Sequence, residues 1–332
     1  MKSLKTVKWG TIGCGDVTEV KSGPALQLCE GSELVAVMRR TAEKAEDYAR
    51  RHQVPKWYDD ADKLINDPDV NAIYVATPPD THHYYTIKAL HAGKPVYVEK
   101  PMALNYNQCL EMNKIAEQSD LPLFVAFYRR MLPNFLKAKE LVDQNAIGDI
   151  RFVNLRLHLP PAPGDDNPEE KPWRLKPEIA GGGYFADLAP HQLDFLDYMF
   201  GPIVNSRGIA RNQASLYEPE DVVSAVWEFE SSSVIGSGSW CFTVNEMNED
   251  DIIEIVGSNG SIELSCFDHA NVYLRRNEQT RTFRFEKPKH VQQPLIQTVV
   301  NELRGIGECP SHGDSGARTN WVMDQILGDY YL

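Results

Sequence analysis

The chain has 332 residues, of which 42% are hydrophobic and 24% charged, with a formal net charge of −13. That length calls for two domains with separate cores. The excess negative charge opposes phosphate backbones and anionic lipid, and no run approaches the ~18 apolar residues of a membrane span, so neither nucleic acid nor a membrane is expected as partner.

In chain order, short apolar strands are expected first, at Val7 to Ile12, Leu34 to Met38, Ala72 to Ala76, Val96 to Val98 and Leu123 to Val125. They alternate with helical patterns, as in a doubly wound parallel sheet. Thr41 reads as an N-cap before Ala42, Ala45, Ala49 and His52, and Gly93 as the terminating glycine of a helix running from about Thr81 to Ala92. After Gly148 the rhythm changes to Arg151 to His158, Val222 to Glu228, Ser233 to Cys241, Asp251 to Gly257 and Ser261 to Leu264, with few helices between. Such a succession predicts a largely antiparallel sheet in a second domain, with Asn259-Gly260 as a hairpin turn. A last helical stretch, about Gly316 to Tyr330, is free to pack back on the first domain. The expected division is therefore an α/β domain at 1–126 and a second domain, built on the antiparallel sheet, at 127–332.

Cys14, Cys29, Cys109, Cys241, Cys266 and Cys309 lack CxxC or zinc-finger spacing, and the opening Met1-Lys2-Ser3-Leu4-Lys5-Thr6 has no secretory apolar segment. Reduced thiols and a cytoplasmic location are expected.

Gly13-Cys14-Gly15 follows the first strand, and Asp16 and Val17 lead toward a helix. Glycines at such a turn let a dinucleotide pyrophosphate approach backbone N–H groups. Thr18 replaces the third glycine of the usual pattern, and a plain glycine-rich turn is the alternative. The second strand ends in Arg39-Arg40, where an NAD site places a carboxylate. Two guanidinium groups suit the 2′-phosphate of NADP, with NAD as the alternative cofactor and a solvated basic pair as the other reading. Thr77-Pro78-Pro79 offers a rigid polar turn beside a nicotinamide ribose, or simply a helix start.

Glu99-Lys100-Pro101 follows the strand at Val96 to Val98, so Lys100 stands at the carboxyl edge where open α/β sheets bind ligands. A lysine there can stabilise charge on a reacting oxygen, although many such lysines are only solvated. Asp187, His191 and Asp194 recur at i, i+4 and i+7, on one helical face, behind Gly181-Gly182-Gly183. The histidine can carry a proton near neutral pH and an aspartate can orient it; a buried polar pair is the competing reading. These three could also hold a divalent ion, but without a second ligand cluster and with Lys100 as neighbour no metal is expected.

Gly13-x-Gly15, Glu99-Lys100-Pro101 and the run from Gly182-Gly183 through Asp187, Ala189, His191 and Asp194 resemble the Gfo/Idh/MocA oxidoreductases, in order and spacing over nearly the whole chain. The resemblance implies an NAD(P)-binding Rossmann domain at 1–126 followed by an α+β substrate and oligomerisation domain at 127–332 built on an open, mostly antiparallel sheet, assembly as homodimer or homotetramer, and a catalytic set of Lys100, Asp187 and His191. It also implies hydride transfer between a nicotinamide cofactor and a hydroxyl or carbonyl of a sugar, inositol or cyclic polyol. Thr77, Pro78, His82 and Glu99 fall on cofactor-facing motifs, and Arg130, Trp173 and Arg174, with Asp194, on positions near substrate. A dihydrodiol or dicarbonyl dehydrogenase-like activity and a non-catalytic dinucleotide-binding regulator are the alternatives. The proline-rich stretch Leu159 to Pro177, with Pro160, Pro161, Pro163, Pro168, Pro172 and Pro177, is expected to border the substrate pocket or a neighbouring subunit.

Overall fold

The computed structural model describes residues 3–167, 171–268 and 270–331. Two compact units emerge: Met1–Tyr128 with Pro288–Ala317, and Arg129–Lys287 with Arg318–Leu332.

In the first unit β1 (Val7–Ile12), β2 (Ser32–Met38), β3 (Lys56–Tyr58), β4 (Ala72–Val75), β5 (Val96–Val98) and β6 (Leu123–Val125) form one sheet in the order β3-β2-β1-β4-β5-β6. All five pairings are parallel, the doubly wound order of dinucleotide-binding folds. The central strands are apolar on both faces because both are covered, and Trp9, Tyr74 and Tyr97 are fully buried, the two tyrosine rings stacked at 5.1 Å. Ile12 lies beside Val75, and Val75 beside Val98, so the turns after β1, β4 and β5 are neighbours at one carboxyl edge. The short β3 is an addition to the expected strands.

Beyond the expected boundary after residue 126, the first unit also takes in Pro288–Ala317. The helix Gln293–Leu303 buries Leu295, Ile296, Val299 and Val300, and the Cys29 thiol donates to the Gln293 carbonyl. The last long helix runs Gly313–Leu327 and is followed by a 3-10 turn, Gly328–Tyr331.

The second unit holds an eight-stranded sheet: β7 (Ile150–His158), β8 (Ile203–Arg211), β9 (Val222–Phe229), β10 (Ser232–Cys241), β11 (Asp250–Gly257), β12 (Gly260–Leu264), β13 (Asn271–Arg276) and β14 (Gln279–Arg284), in the order β14-β13-β12-β11-β7-β10-β9-β8. Only β7 and β10 pair in parallel; the rest is antiparallel, as expected. The hairpin between β11 and β12 turns through Ser258 and Asn259, with Gly260 opening β12 opposite Gly257. One face of this sheet carries the helix Tyr184–Phe200, where Phe185 meets Trp240 edge-on at 5.0 Å and the Trp240 indole N–H donates to Gln192 at 2.7 Å. The opposite face stays open and exposes Phe152, Ile209, Val226 and Ile235 by 40 to 64%. No helix among the described residues is long and apolar enough to cross a membrane.

Candidate functional site

At the carboxyl edge of the parallel sheet, Gly13 has φ +95°, and a side chain there would meet the Ala76 carbonyl and Thr77 Cγ2 at 2.8 Å. Only glycine lets the turn after β1 lie against the turn after β4. The Gly13 and Cys14 amides both donate to the Met38 carbonyl at 2.9 and 3.3 Å, which curls the loop back over β2. Gly15 caps the short helix Asp16–Val20, and nothing stands within 4 Å of where its side chain would be. A phosphate can therefore approach the backbone at Gly15, Asp16 and Val17. Buried Thr18 takes the packing role of the missing glycine: its hydroxyl donates to the Gly15 carbonyl at 2.7 Å and its own carbonyl receives the Tyr48 hydroxyl at 2.8 Å. Burial pushes the Cys14 thiol up to about 11, so it stays neutral. Arg39 Nη1 donates to the Cys14 carbonyl at 3.2 Å, while Arg40 is exposed.

On the neighbouring turn, the Glu99 carboxylate is 6% exposed and receives the Tyr74 hydroxyl and Gln292 Nε2, each at 2.6 Å, and the Lys100 amide at 3.2 Å. Gln292 also accepts from the Tyr97 hydroxyl at 3.0 Å. This network holds the backbone from which Lys100 extends; the Lys100–Pro101 peptide is cis. His82 is fully buried, with Nε2 2.7 Å from the Thr77 carbonyl and Nδ1 2.9 Å from the Pro101 carbonyl. Burial lowers its pKa, the two carbonyls acting the other way, and the ring stitches the Thr77 turn to the Lys100-Pro101 turn.

In the second unit the helix Tyr184–Phe200 carries Asp187, His191 and Asp194. Asp187 receives Arg174 Nε at 2.7 Å, and the Arg174 guanidinium, 44% exposed, stands 4.4 Å from the Trp173 ring centroid. The His191 ring is 5% exposed and meets Phe267 edge-on at 6.0 Å. Within the proline-rich stretch, buried Asp165 accepts the Ala162 amide at 2.8 Å and the Tyr184 hydroxyl at 2.6 Å, which ties that segment to the first residue of the helix. Pro168, Glu169 and Glu170 lie outside the described residues.

A family profile described as an oxidoreductase family with NAD-binding Rossmann fold matches residues 7–127, and one for the Gfo/Idh/MocA C-terminal domain matches residues 135–263. The chain belongs to the Gfo/Idh/MocA family. An oxidoreductase of Formosa agariphila is 39% identical over 97% of this chain and 98% of its own length. A 1,5-anhydro-D-fructose reductase of Ensifer adhaerens is 30% identical over 93% and 92%. Among solved structures, a levoglucosan dehydrogenase complex with NADH and levoglucosan shares the fold with a TM-score of 0.85, at 20% identity, covering 97% of this chain and 96% of that one. As a Gfo/Idh/MocA member the chain is an oxidoreductase acting on hydroxyl or carbonyl groups, built on an NAD-binding Rossmann fold.

Several residues expected near the ligands are bonded within the protein. Arg130 and Asp194 are 2% and 1% exposed and bonded to each other at 2.9 and 2.5 Å, with Arg130 also 5.1 Å from the Tyr198 ring centroid. Burial pushes the Asp194 carboxyl up to about 6 although Arg130 pulls it down. The Cys14 side chain is fully buried, and the His82 ring and the Glu99 carboxylate are hydrogen-bonded within the protein itself. Sequence reasoning missed Gln292, which lies 193 residues from its partner Glu99, and Asp165 and Phe267, whose contacts no local pattern announces.

Proposed function

We propose that this enzyme interconverts a secondary hydroxyl and the corresponding carbonyl of a sugar, inositol or other cyclic polyol, with NADP preferred to NAD. The observation that carries the reading is the carboxyl edge, where the Gly13 turn packs on Ala76 and Thr77 and the next strand delivers Lys100 from a fixed backbone.

The open backbone at Gly15, Asp16 and Val17 fits a pyrophosphate, exposed Arg40 fits a 2′-phosphate, and Thr77 and Pro78 flank the same edge. When bound, the nicotinamide supplies the hydride acceptor or donor. Lys100 donates a hydrogen bond to the reacting oxygen and stabilises its developing negative charge. His191 takes the hydroxyl proton in the oxidising direction and returns it in the reducing direction. Asp187, fixed by Arg174, sets the orientation of the reacting groups. The open sheet face with Phe152, Ile209, Val226 and Ile235 is the surface through which copies of the chain pair.

The experiment follows the absorbance of reduced cofactor with D-glucose, myo-inositol and cyclohexanediol as probes. At least one should turn over with NADP, and His191→Asn should lower that turnover by roughly a hundredfold with cofactor affinity unchanged. Cofactor binding without turnover of any probe would overturn the polyol reading, and near-normal turnover of His191→Asn across neutral pH would overturn the role of His191.

A further inference from the structure

The helix bearing Asp187 and His191 begins at Gly183, and its start is fastened by residues far away in sequence. The Gly183 amide donates to Glu220 Oε1 at 3.1 Å. Glu220 is fully buried and receives, on its other oxygen, the hydroxyl of Tyr331, a residue 41% exposed. The fit around this point is tight. A side chain on Gly183 would meet Pro219 Cβ at 2.6 Å and the Glu220 carbonyl at 3.2 Å. One on Gly182 would meet Ala186 Cβ at 2.9 Å, with the Tyr331 ring 3.7 Å away. The triple-glycine turn is thus pressed between the Pro219-Glu220 segment and the 3-10 turn Gly328–Tyr331.

A buried carboxylate left without donors is strongly disfavoured, so three groups are bound to one geometry: the amide, the carboxylate and the phenol. Asp187 stands four residues after Gly183 and His191 eight, the first and second turns of the same rigid element. Displacing the helix start displaces both side chains together.

We propose that Glu220 and Tyr331 are positioning residues that set the placement of Asp187 and His191 through the Gly183 amide. This rests on the reading of those two residues as the proton-handling pair, so the test has one arm that needs no turnover. In the full-length protein, hydrogen exchange of the segment 181–188 is compared among the parent, Glu220→Ala, Glu220→Gln and Tyr331→Phe. Exchange of that segment should speed up at least tenfold in Glu220→Ala and by a smaller factor in Tyr331→Phe, with β1 and β4 of the nucleotide-binding unit unchanged. Glutamine keeps a carbonyl oxygen for the Gly183 amide, so Glu220→Gln should exchange like the parent.

The second arm is kinetic, with whichever of glucose, myo-inositol or cyclohexanediol turns over. Misplacement near 1 Å costs roughly a hundredfold, so Glu220→Ala should lose about tenfold to a hundredfold in kcat with the KM for NADP unchanged. Glu220→Gln should return to within about threefold of the parent, a rescue that general loss of folded protein would not produce. Should Glu220→Ala fail to fold, Tyr331→Phe carries both arms, because its hydroxyl is the only group removed. Unchanged exchange at 181–188 in Tyr331→Phe and Glu220→Ala overturns the proposal. So does a kcat loss that glutamine fails to rescue. A parent that turns over no probe counts against the polyol reading alone, since the exchange arm still decides the role of Glu220.

Discussion

Full burial makes Glu220 a stability sensor as well as a support. Burial pushes its carboxyl from 4.5 up to about 7, with the Tyr331 hydroxyl and the Gly183 amide pulling it back down. Each tenfold change in proton affinity is worth about 1.4 kcal/mol, so the group carries about 3 kcal/mol of differential interaction between its two protonation states. A carboxyl raised on folding binds more protons in the native state than in the unfolded one between those two values. Stability therefore falls as pH rises from 4.5 toward and past 7, and the loss is complete at pH 8. Glu220→Gln cannot titrate, and it keeps an oxygen for the Gly183 amide. The gap in stability between variant and parent should move in favour of glutamine by about 2 to 3 kcal/mol between pH 5 and pH 8. For a unit of this size that is a relative Tm shift of roughly 5 to 10 °C. Calorimetric or fluorescence melting of both proteins across this range measures it, and other titrating groups cancel because they are common to both. Parallel Tm curves would refute the reasoning and leave Glu220 as an ordinary ionised carboxylate.

Two further outcomes test the cofactor edge and the open sheet. Arg40→Ala should weaken NADPH binding roughly tenfold to a hundredfold and leave NADH unchanged, whereas Arg39→Ala, which releases the Cys14 carbonyl, should weaken both; NADH bound as tightly as NADPH by the parent in a calorimetric titration would sink the NADP preference. If copies pair through this face, Ile235→Glu, which places a charge beside Phe152, should yield monomers in sedimentation equilibrium, and a parent that is itself monomeric refutes the pairing.

The parallel sheet was readable because burial on both faces imposes unbroken apolar runs, and β1, β5 and β6 fall at the residues expected of them. The missed strands lack that constraint. β3 has three residues with none fully buried, and β14 is an edge strand, Gln-Thr-Arg-Thr-Phe-Arg, exposed at nearly every position. An edge strand needs a partner on one side only, so its pattern is set by what it must not stick to as much as by what it covers. The grouping of Pro288–Ala317 with the first unit escaped for another reason. Its helix is amphipathic like any surface helix, and the pattern says which side is buried but not against what.

The site divides along the same line. The placement of Gly13 and Lys100 at strand ends and of Asp187 and His191 along one helix, the residues of the proposed site, was legible because each is a residue type at a fixed distance from a strand end or along one helix. The pairing of Arg130 with Asp194 was not legible, because a charge within an apolar stretch signals function and structural pairing alike, and only the fold joins residues 64 apart. Glu220 shows the reverse failure. It sits before β9 in a stretch that reads as an ordinary acidic loop, Glu218-Pro219-Glu220-Asp221, yet it is fully buried and holds the amide from which the proposed proton-handling helix starts. A motif names the groups that touch substrate. The groups that hold them in place act through backbone amides, which any sequence supplies, so they leave no motif behind and become visible only when burial and distance are known.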